Sequence, residues 1–149
     1  MGVYLNPGTE GFQESIRSEI YVDKTELIAF TNRKIGTEQK YICVSRPRRF
    51  GKSMTAKMLA AYYGRGYDST ELFSDFAIRN SKDFKTHLNQ YHVILLNMQE
   101  FLSRTHGTDK MIQLLQKSVL RDLLRTYPDI DYLDQDDFFQ SKSTEPILR

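Results

Sequence analysis

One short run of residues has the side chains and spacing that phosphate chemistry needs: Ser45-Arg46-Pro47-Arg48-Arg49-Phe50-Gly51-Lys52-Ser53. Glycine followed by lysine and serine is the ending of a phosphate-binding loop (P-loop, or Walker A motif), whose backbone amides curl around the β-phosphate of a nucleotide. The lysine of such a loop reaches the β- and γ-phosphate oxygens, and the next hydroxyl binds Mg²⁺. The sequence therefore predicts a site for ATP and Mg²⁺, with Lys52 as its catalytic lysine and Ser53 as its metal ligand.

The start of this loop departs from the general motif. Arg46 stands where the motif has its first glycine, and arginine cannot adopt a positive φ as cheaply as glycine does. Because proline fixes its own φ, Pro47 offers a different backbone route into the turn. The predicted cofactor-binding residues are Pro47, Arg48, Arg49, Phe50, Gly51, Lys52, Ser53 and Met54.

Two other functions stay open on these residues. Arginine side chains suit phosphates and an aromatic neighbour such as Phe50 stacks on bases, so the loop is also a candidate for nucleic-acid binding. Nucleic-acid contacts would weaken steeply with salt, whereas nucleotide binding in a preformed loop would depend mainly on magnesium. The third alternative is an interaction or structural fragment whose loop binds nothing. The basic side chains of the nucleic-acid alternative are Arg46, Arg48, Arg49 and Lys52.

The flanking sequence indicates which elements position the loop. Residues 40–45 are apolar and β-prone, which is typical of a strand buried on both faces and would place Cys43 in the core. A helix is predicted over 52–63, ending at Gly64 or Gly66, and a second buried strand over 92–98. Further helices are predicted after Thr25, near 70–76 and 82–89, and over 108–127. This alternation of strands and helices along the chain predicts an α/β fold with a parallel sheet.

Composition excludes several classes of protein. The chain has 149 residues, of which 40% are hydrophobic and 27% charged, and a net charge of +2, as expected of one globular domain. It has neither a long apolar run nor the pattern of a signal peptide, so no membrane partner is expected. A single cysteine and three scattered histidines suggest neither a disulfide nor a metal cluster. These features together predict a cytoplasmic protein.

Three phrases of the sequence are distinctive: Tyr4-Leu5-Asn6-Pro7-Gly8, Tyr21-Val22-Asp23-Lys24-Thr25 and Arg46-Pro47-Arg48-Arg49-Phe50-Gly51-Lys52-Ser53. They resemble the N-terminal part of the bacterial AAA-ATPase-like family, a group of predicted P-loop proteins whose later region resembles a PD-(D/E)xK nuclease. The resemblance implies a P-loop NTPase-like three-layer α/β/α fold, of which residues 1–149 would be an incomplete N-terminal portion, and an ATP-binding function. Arg46 in place of glycine is usual in that family.

The sequence lacks a clear acidic residue for hydrolysis. A P-loop ATPase needs a carboxylate after a buried strand, but the predicted strand over 92–98 has Asn97 near its end. Glu100 is the one substitute nearby, and the aspartates from 129 to 137 are expected on the surface. The resemblance places the acidic strand and the C-terminal region after Arg149, so this piece is expected to bind nucleotide without hydrolysing it.

An incomplete sheet would leave unpaired strand edges. Such edges favour self-association or a strand pairing that differs from the family's. The nuclease-like region of the family makes nucleic acid a possible partner of a longer parent protein. The phrase Asp23-Lys24-Thr25 is typical of the family too; a helix cap is the favoured interpretation of it, and a nucleotide contact is the alternative.

Overall fold

The computed structural model describes residues 2–45, 47 and 51–128. These residues form α-helices and two 3₁₀ turns, at Glu38–Lys40 and Ala77–Asn80. A search of the described helices finds none long and apolar enough to cross a bilayer. The α-helices are α1 (Glu10–Ile16), α2 (Glu26–Asn32), α3 (Lys52–Tyr63), α4 (Phe84–His87), α5 (Met98–Arg104) and α6 (Thr108–Thr126).

The predicted three-layer α/β/α fold with a parallel sheet is wrong for the described part of the chain, which contains helices and no strand. Both predicted strands are apolar and β-prone, but such segments become a sheet only when neighbours pair along their length. Over 92–97 such pairing is limited to the single antiparallel bridge of Ile94 with Leu5, and a parallel bridge joins Gly64 to Tyr91 just before it. The two predicted strands are therefore not joined to each other.

The first predicted strand is not buried. Glu38–Lys40 forms a 3₁₀ turn, and residues 41–45 after it are exposed, with Tyr41 at 87% of its full accessibility. Cys43 is also exposed, so its predicted place in the core is wrong. An apolar sequence predicted burial here, but the described residues do not cover this segment.

Three of the predicted helices are confirmed. The helix predicted after Thr25 is α2, helix α3 ends at Tyr63 just before Gly64, and the long helix predicted over 108–127 is α6. Of the helix predicted near 82–89, only the four residues of α4 are α-helical. The stretch 70–76, also predicted as a helix, forms turns. Helices α1 and α5 were not predicted, and α5 shares only Met98 with the second predicted strand.

A mainly aromatic core surrounds helix α3. Phe12 of α1 stacks on Phe73, with ring centroids 5.2 Å apart, and Tyr62 meets Phe73 edge to face at 5.5 Å. Offset and edge-to-face arrangements are the favourable geometries for such rings. Helix α3 supplies Met58, Ala61 and Tyr62 to this core. The buried core residues are Phe12, Ile28, Met58, Ala61, Tyr62, Phe73, Ile78, Phe84 and Leu88.

A second packing unit joins the N-terminal segment to helices α5 and α6. Phe101 of α5 is fully buried and lies against Tyr4, with ring centroids 5.5 Å apart. The buried carboxylate of Asp122 on α6 accepts backbone hydrogen bonds from Val3, Tyr4 and Leu5 at 3.1, 2.7 and 2.8 Å. This carboxylate ties the start of the chain to its longest described helix.

Candidate functional site

The candidate site lies at the amino end of α3, where Gly51 precedes the helix. Gly51 has φ +77° and ψ 22°, a left-handed conformation in which glycine avoids the strain of a side chain. The first helical hydrogen bond runs from the amide of Thr55 to the carbonyl of Gly51, at 2.9 Å. The amides of Lys52, Ser53 and Met54 therefore have no acceptor within the helix, as at every helix start. Such a turn can offer its N–H groups to an anion.

The opposite end of α3 is firmly anchored. Its last four carbonyl groups, from residues 60 to 63, each accept at least one hydrogen bond from outside the helix, so that the chain itself satisfies this end. Asn89 contributes both its backbone amide, to Tyr62 O at 2.8 Å, and its side chain, which accepts from Ser69 and donates to Gly64. Helix α3 thus has a satisfied carboxyl end, while its amino end carries the Gly-Lys-Ser sequence.

Helix α6 provides a comparison within the same molecule. It too begins after a glycine with positive φ, Gly107 at +94°. Its first turn contains Asp109, whose negative charge complements the helix dipole, whereas the first turn of α3 contains no acidic residue and begins with Lys52. The start of α3 is therefore better suited than that of α6 to an external anion.

A second lysine reaches this glycine from a distant part of the chain. A Cβ built on Gly51 would lie 3.0 Å from Nζ of Lys24, so the amine of Lys24 lies against the backbone just before α3. Lys24 belongs to the phrase Asp23-Lys24-Thr25, which precedes α2. The fold therefore brings together two of the phrases that carry the family resemblance.

The neighbours of Lys24 hold its backbone in place. One carboxylate oxygen of Asp23 accepts from the amide of Thr25 at 2.8 Å, and the other accepts from the amide of Ala77 at 2.9 Å. The hydroxyl of Thr25, which is fully buried, accepts from the amide of Ile78 at 3.1 Å. The predicted side-chain cap of α2 is therefore not formed, since both side chains instead fasten this turn to the 3₁₀ segment.

These hydrogen bonds also favour the charged form of Asp23. Partial burial alone would raise its pKa, but the amides of Ala77 and Thr25 and the Thr25 hydroxyl outweigh burial and lower the pKa below its usual range. The carboxylate therefore stays ionised at neutral pH and keeps both backbone contacts.

The structure describes part of the predicted site. Lys52 and Ser53 are exposed in the first turn of α3, Met54 beside them is half-buried, and Pro47 is exposed. Sequence reasoning missed the approach of Lys24 to Gly51, for which the only signal was the phrase Asp23-Lys24-Thr25 itself. The predicted site residues Arg48, Arg49 and Phe50, as well as Arg46, lie outside the described residues.

The candidate positions for an acidic catalytic residue lie just before helix α5, within it, or outside the described residues. Asn97 precedes α5, and its side chain accepts from the amide of Gln99 at 3.2 Å, so it serves as a helix cap. Glu100 accepts from Tyr4 Oη at 3.3 Å and pairs with Arg104 at 3.4 Å. The aspartates from 129 to 137 lie outside the described residues.

Comparison with known proteins gives one match. The AAA-ATPase-like family, described as a predicted AAA-ATPase, matches residues 7–145 of this chain, and no curated protein or solved structure matches significantly. Because the match spans most of the sequence, the chain belongs to the AAA-ATPase-like family.

Proposed function

We propose that the chain binds the phosphates of ATP at the amino end of α3. The observation that carries this proposal is the position of Gly51-Lys52-Ser53: a left-handed glycine followed by a helix whose first turn holds a lysine and no acid. A bound triphosphate accepts hydrogen bonds from the amides of Lys52, Ser53 and Met54 and pairs with the Lys52 amine. Membership in a family described as predicted AAA-ATPases supports the same ligand.

Magnesium fits this site as a companion of the nucleotide. Among the described residues there is no group of three or more His, Cys, Asp or Glu side chains that would hold a metal by itself. Mg²⁺ does not require one, because it commonly keeps several waters and binds through substrate phosphates with one or two protein ligands. The exposed hydroxyl of Ser53 is the ligand that this chain offers, and the ion would neutralise phosphate charge beside it.

The first prediction tests the phosphate lysine. In calorimetric titrations with MgATP, Lys52→Ala is expected to weaken binding at least about tenfold, because it removes the cation nearest the proposed phosphates. The matched control is Lys110→Ala, which removes the same charge from the first turn of α6, at an equally exposed position. This control is expected to bind MgATP like the unaltered protein.

Two results would contradict the proposal. One is equal MgATP affinity in Lys52→Ala and the unaltered chain, both folded by circular dichroism. The other is no MgATP binding but tight, salt-sensitive binding of a single-stranded oligonucleotide, which would favour nucleic acid as the ligand.

A further inference from the structure

We propose that Lys24 is a second phosphate-binding residue of this site, contacting the same nucleotide as Lys52. This inference rests on the proposed function and assigns a role to the phrase Asp23-Lys24-Thr25. Its starting observation is the position of the Lys24 amine, 3.0 Å from where a Cβ of Gly51 would lie. A phosphate held by the first amides of α3 would lie within the reach of an amine so close to Gly51.

The different contacts of the three residues in Asp23-Lys24-Thr25 support this role. Asp23 and Thr25 both use their side chains to bind the backbone of residues 77 and 78, which fixes the turn. Lys24, between them, is exposed, and its backbone carbonyl accepts from the amide of Leu27 at 3.0 Å where α2 begins. A rigid turn therefore presents a long cationic side chain at the start of α3.

Electrostatics favour an anion shared by the two lysines. Lys24 and Lys52 bring two positive charges to one helix start, where the dipole is positive too. A polyphosphate carries several negative charges and can therefore pair with more than one cation. A docked nucleotide would thus bridge the turn before α2 and the start of α3.

The experiment compares Lys24→Met, Lys24→Gln and Lys24→Arg with Lys52→Ala. Affinities for MgATP and for inorganic pyrophosphate are measured by calorimetry, and stability without ligand by urea unfolding. Lys24→Met and Lys24→Gln are expected to weaken the binding of both ligands at least about fivefold while the protein stays folded. Lys24→Arg keeps the charge and is expected to restore much of the affinity.

The outcomes separate this inference from the function on which it rests. If Lys52→Ala loses MgATP binding while folded Lys24→Met and Lys24→Gln bind like the unaltered chain, or bind more tightly, the role of Lys24 is refuted and nucleotide binding stands. If Lys52→Ala binds normally, the proposed function itself fails, and this inference fails with it. If both Lys24 variants lose stability and Lys24→Arg restores stability and affinity only together, Lys24 is structural and the inference is overturned.

Discussion

At the scale of single residues, Gly51 has two roles, one in the backbone turn into α3 and one in the proposed phosphate site. Its left-handed φ allows the chain to turn into α3, and its missing side chain leaves room for the amine of Lys24. A methyl group here would strain the backbone and press on that amine. The residue therefore affects both stability and the proposed binding of phosphate.

A pair of glycine variants distinguishes these two effects. Gly51→Ala and Gly36→Ala each place alanine at a positive φ, +77° and +73°, but a Cβ on Gly36 would meet nothing within 4 Å. Each substitution is expected to lower the free energy of unfolding by about 1 kcal/mol, since the left-handed region costs an ordinary residue that much. Only Gly51→Ala is expected to weaken MgATP binding as well.

Urea unfolding and calorimetry of both variants check this prediction. Equal loss of nucleotide affinity in the two proteins would show that backbone strain acts indirectly, and no loss in either would remove Gly51 from the site.

How far sequence alone predicts the site follows from these residues. Gly51-Lys52-Ser53 could be assigned to the start of a helix because a local motif and a helical pattern meet there. The approach of Lys24 could not be predicted, because it depends on how the turn before α2 packs on residues 77 and 78. Chemistry encoded in contiguous residues is visible in a sequence, whereas chemistry assembled by tertiary packing is not.

At the scale of elements, α3 is a helix fixed at one end. The network around Asn89 satisfies its carboxyl end, and Asn89 itself has φ 56°, a conformation that asparagine tolerates better than most residues. The anchored end keeps the helix in register with the aromatic core. Its amino end lies beside the turn that carries Lys24.

Substitution of Asn89 measures the strength of this anchor. Asn89→Gly removes the side-chain hydrogen bonds to Ser69 and Gly64 but permits the same backbone, and a loss of about 2 kcal/mol of unfolding free energy is expected. Asn89→Ala adds the strain of a positive φ and is expected to lose about 1 kcal/mol more. Urea unfolding of the three proteins ranks their unfolding free energies. An Asn89→Gly protein as stable as the unaltered chain would show that the Asn89 side chain does not anchor α3.

Periodicity explains which elements were predictable. Helices α3 and α6 have long helical patterns, with a glycine after α3 and a proline after α6, whereas α1 and α5 span only seven residues each and carry little pattern. The two apolar stretches were predicted as strands because composition favours extended backbone. A sheet also requires partners at the correct distance and direction, and that information is not local.

At the scale of the whole molecule, the start of the chain is joined to α6 through one carboxylate. Burial alone would raise the pKa of Asp122, but the amides of Leu5, Tyr4 and Val3, helped by Arg125, lower it below the ordinary value of 3.8. Because the folded state favours ionised Asp122, the unfolded chain binds a proton more readily. The contribution of Asp122 to stability is therefore complete above the ordinary pKa and disappears as the pH falls through the lowered one.

Asp122→Asn tests this connection. At neutral pH it is expected to lower the unfolding free energy by about 2 kcal/mol, because an amide group replaces an ionised acceptor of three backbone hydrogen bonds. The difference between the two proteins is expected to shrink as the pH falls below 3.8 and through the lowered pKa of Asp122, where the carboxyl group becomes neutral. Urea unfolding at a series of pH values checks both parts, and a difference independent of pH would contradict the assigned charge.

This long-range connection also marks a limit of prediction. Asp122 looks like an ordinary polar residue of an amphipathic helix, and only the folded chain shows that its partners are the amides of Val3, Tyr4 and Leu5. The predicted three-layer fold failed at this same scale, since the overall arrangement depends on pairings between distant segments.

The exposed position of Cys43 has a practical consequence. It is the sole thiol in the sequence, and it stands two residues before Ser45, where the Gly-Lys-Ser loop begins. A maleimide dye would therefore label the protein at one defined point, without any engineered cysteine. Fluorescence from that point would report on the segment entering the loop as ligands are added.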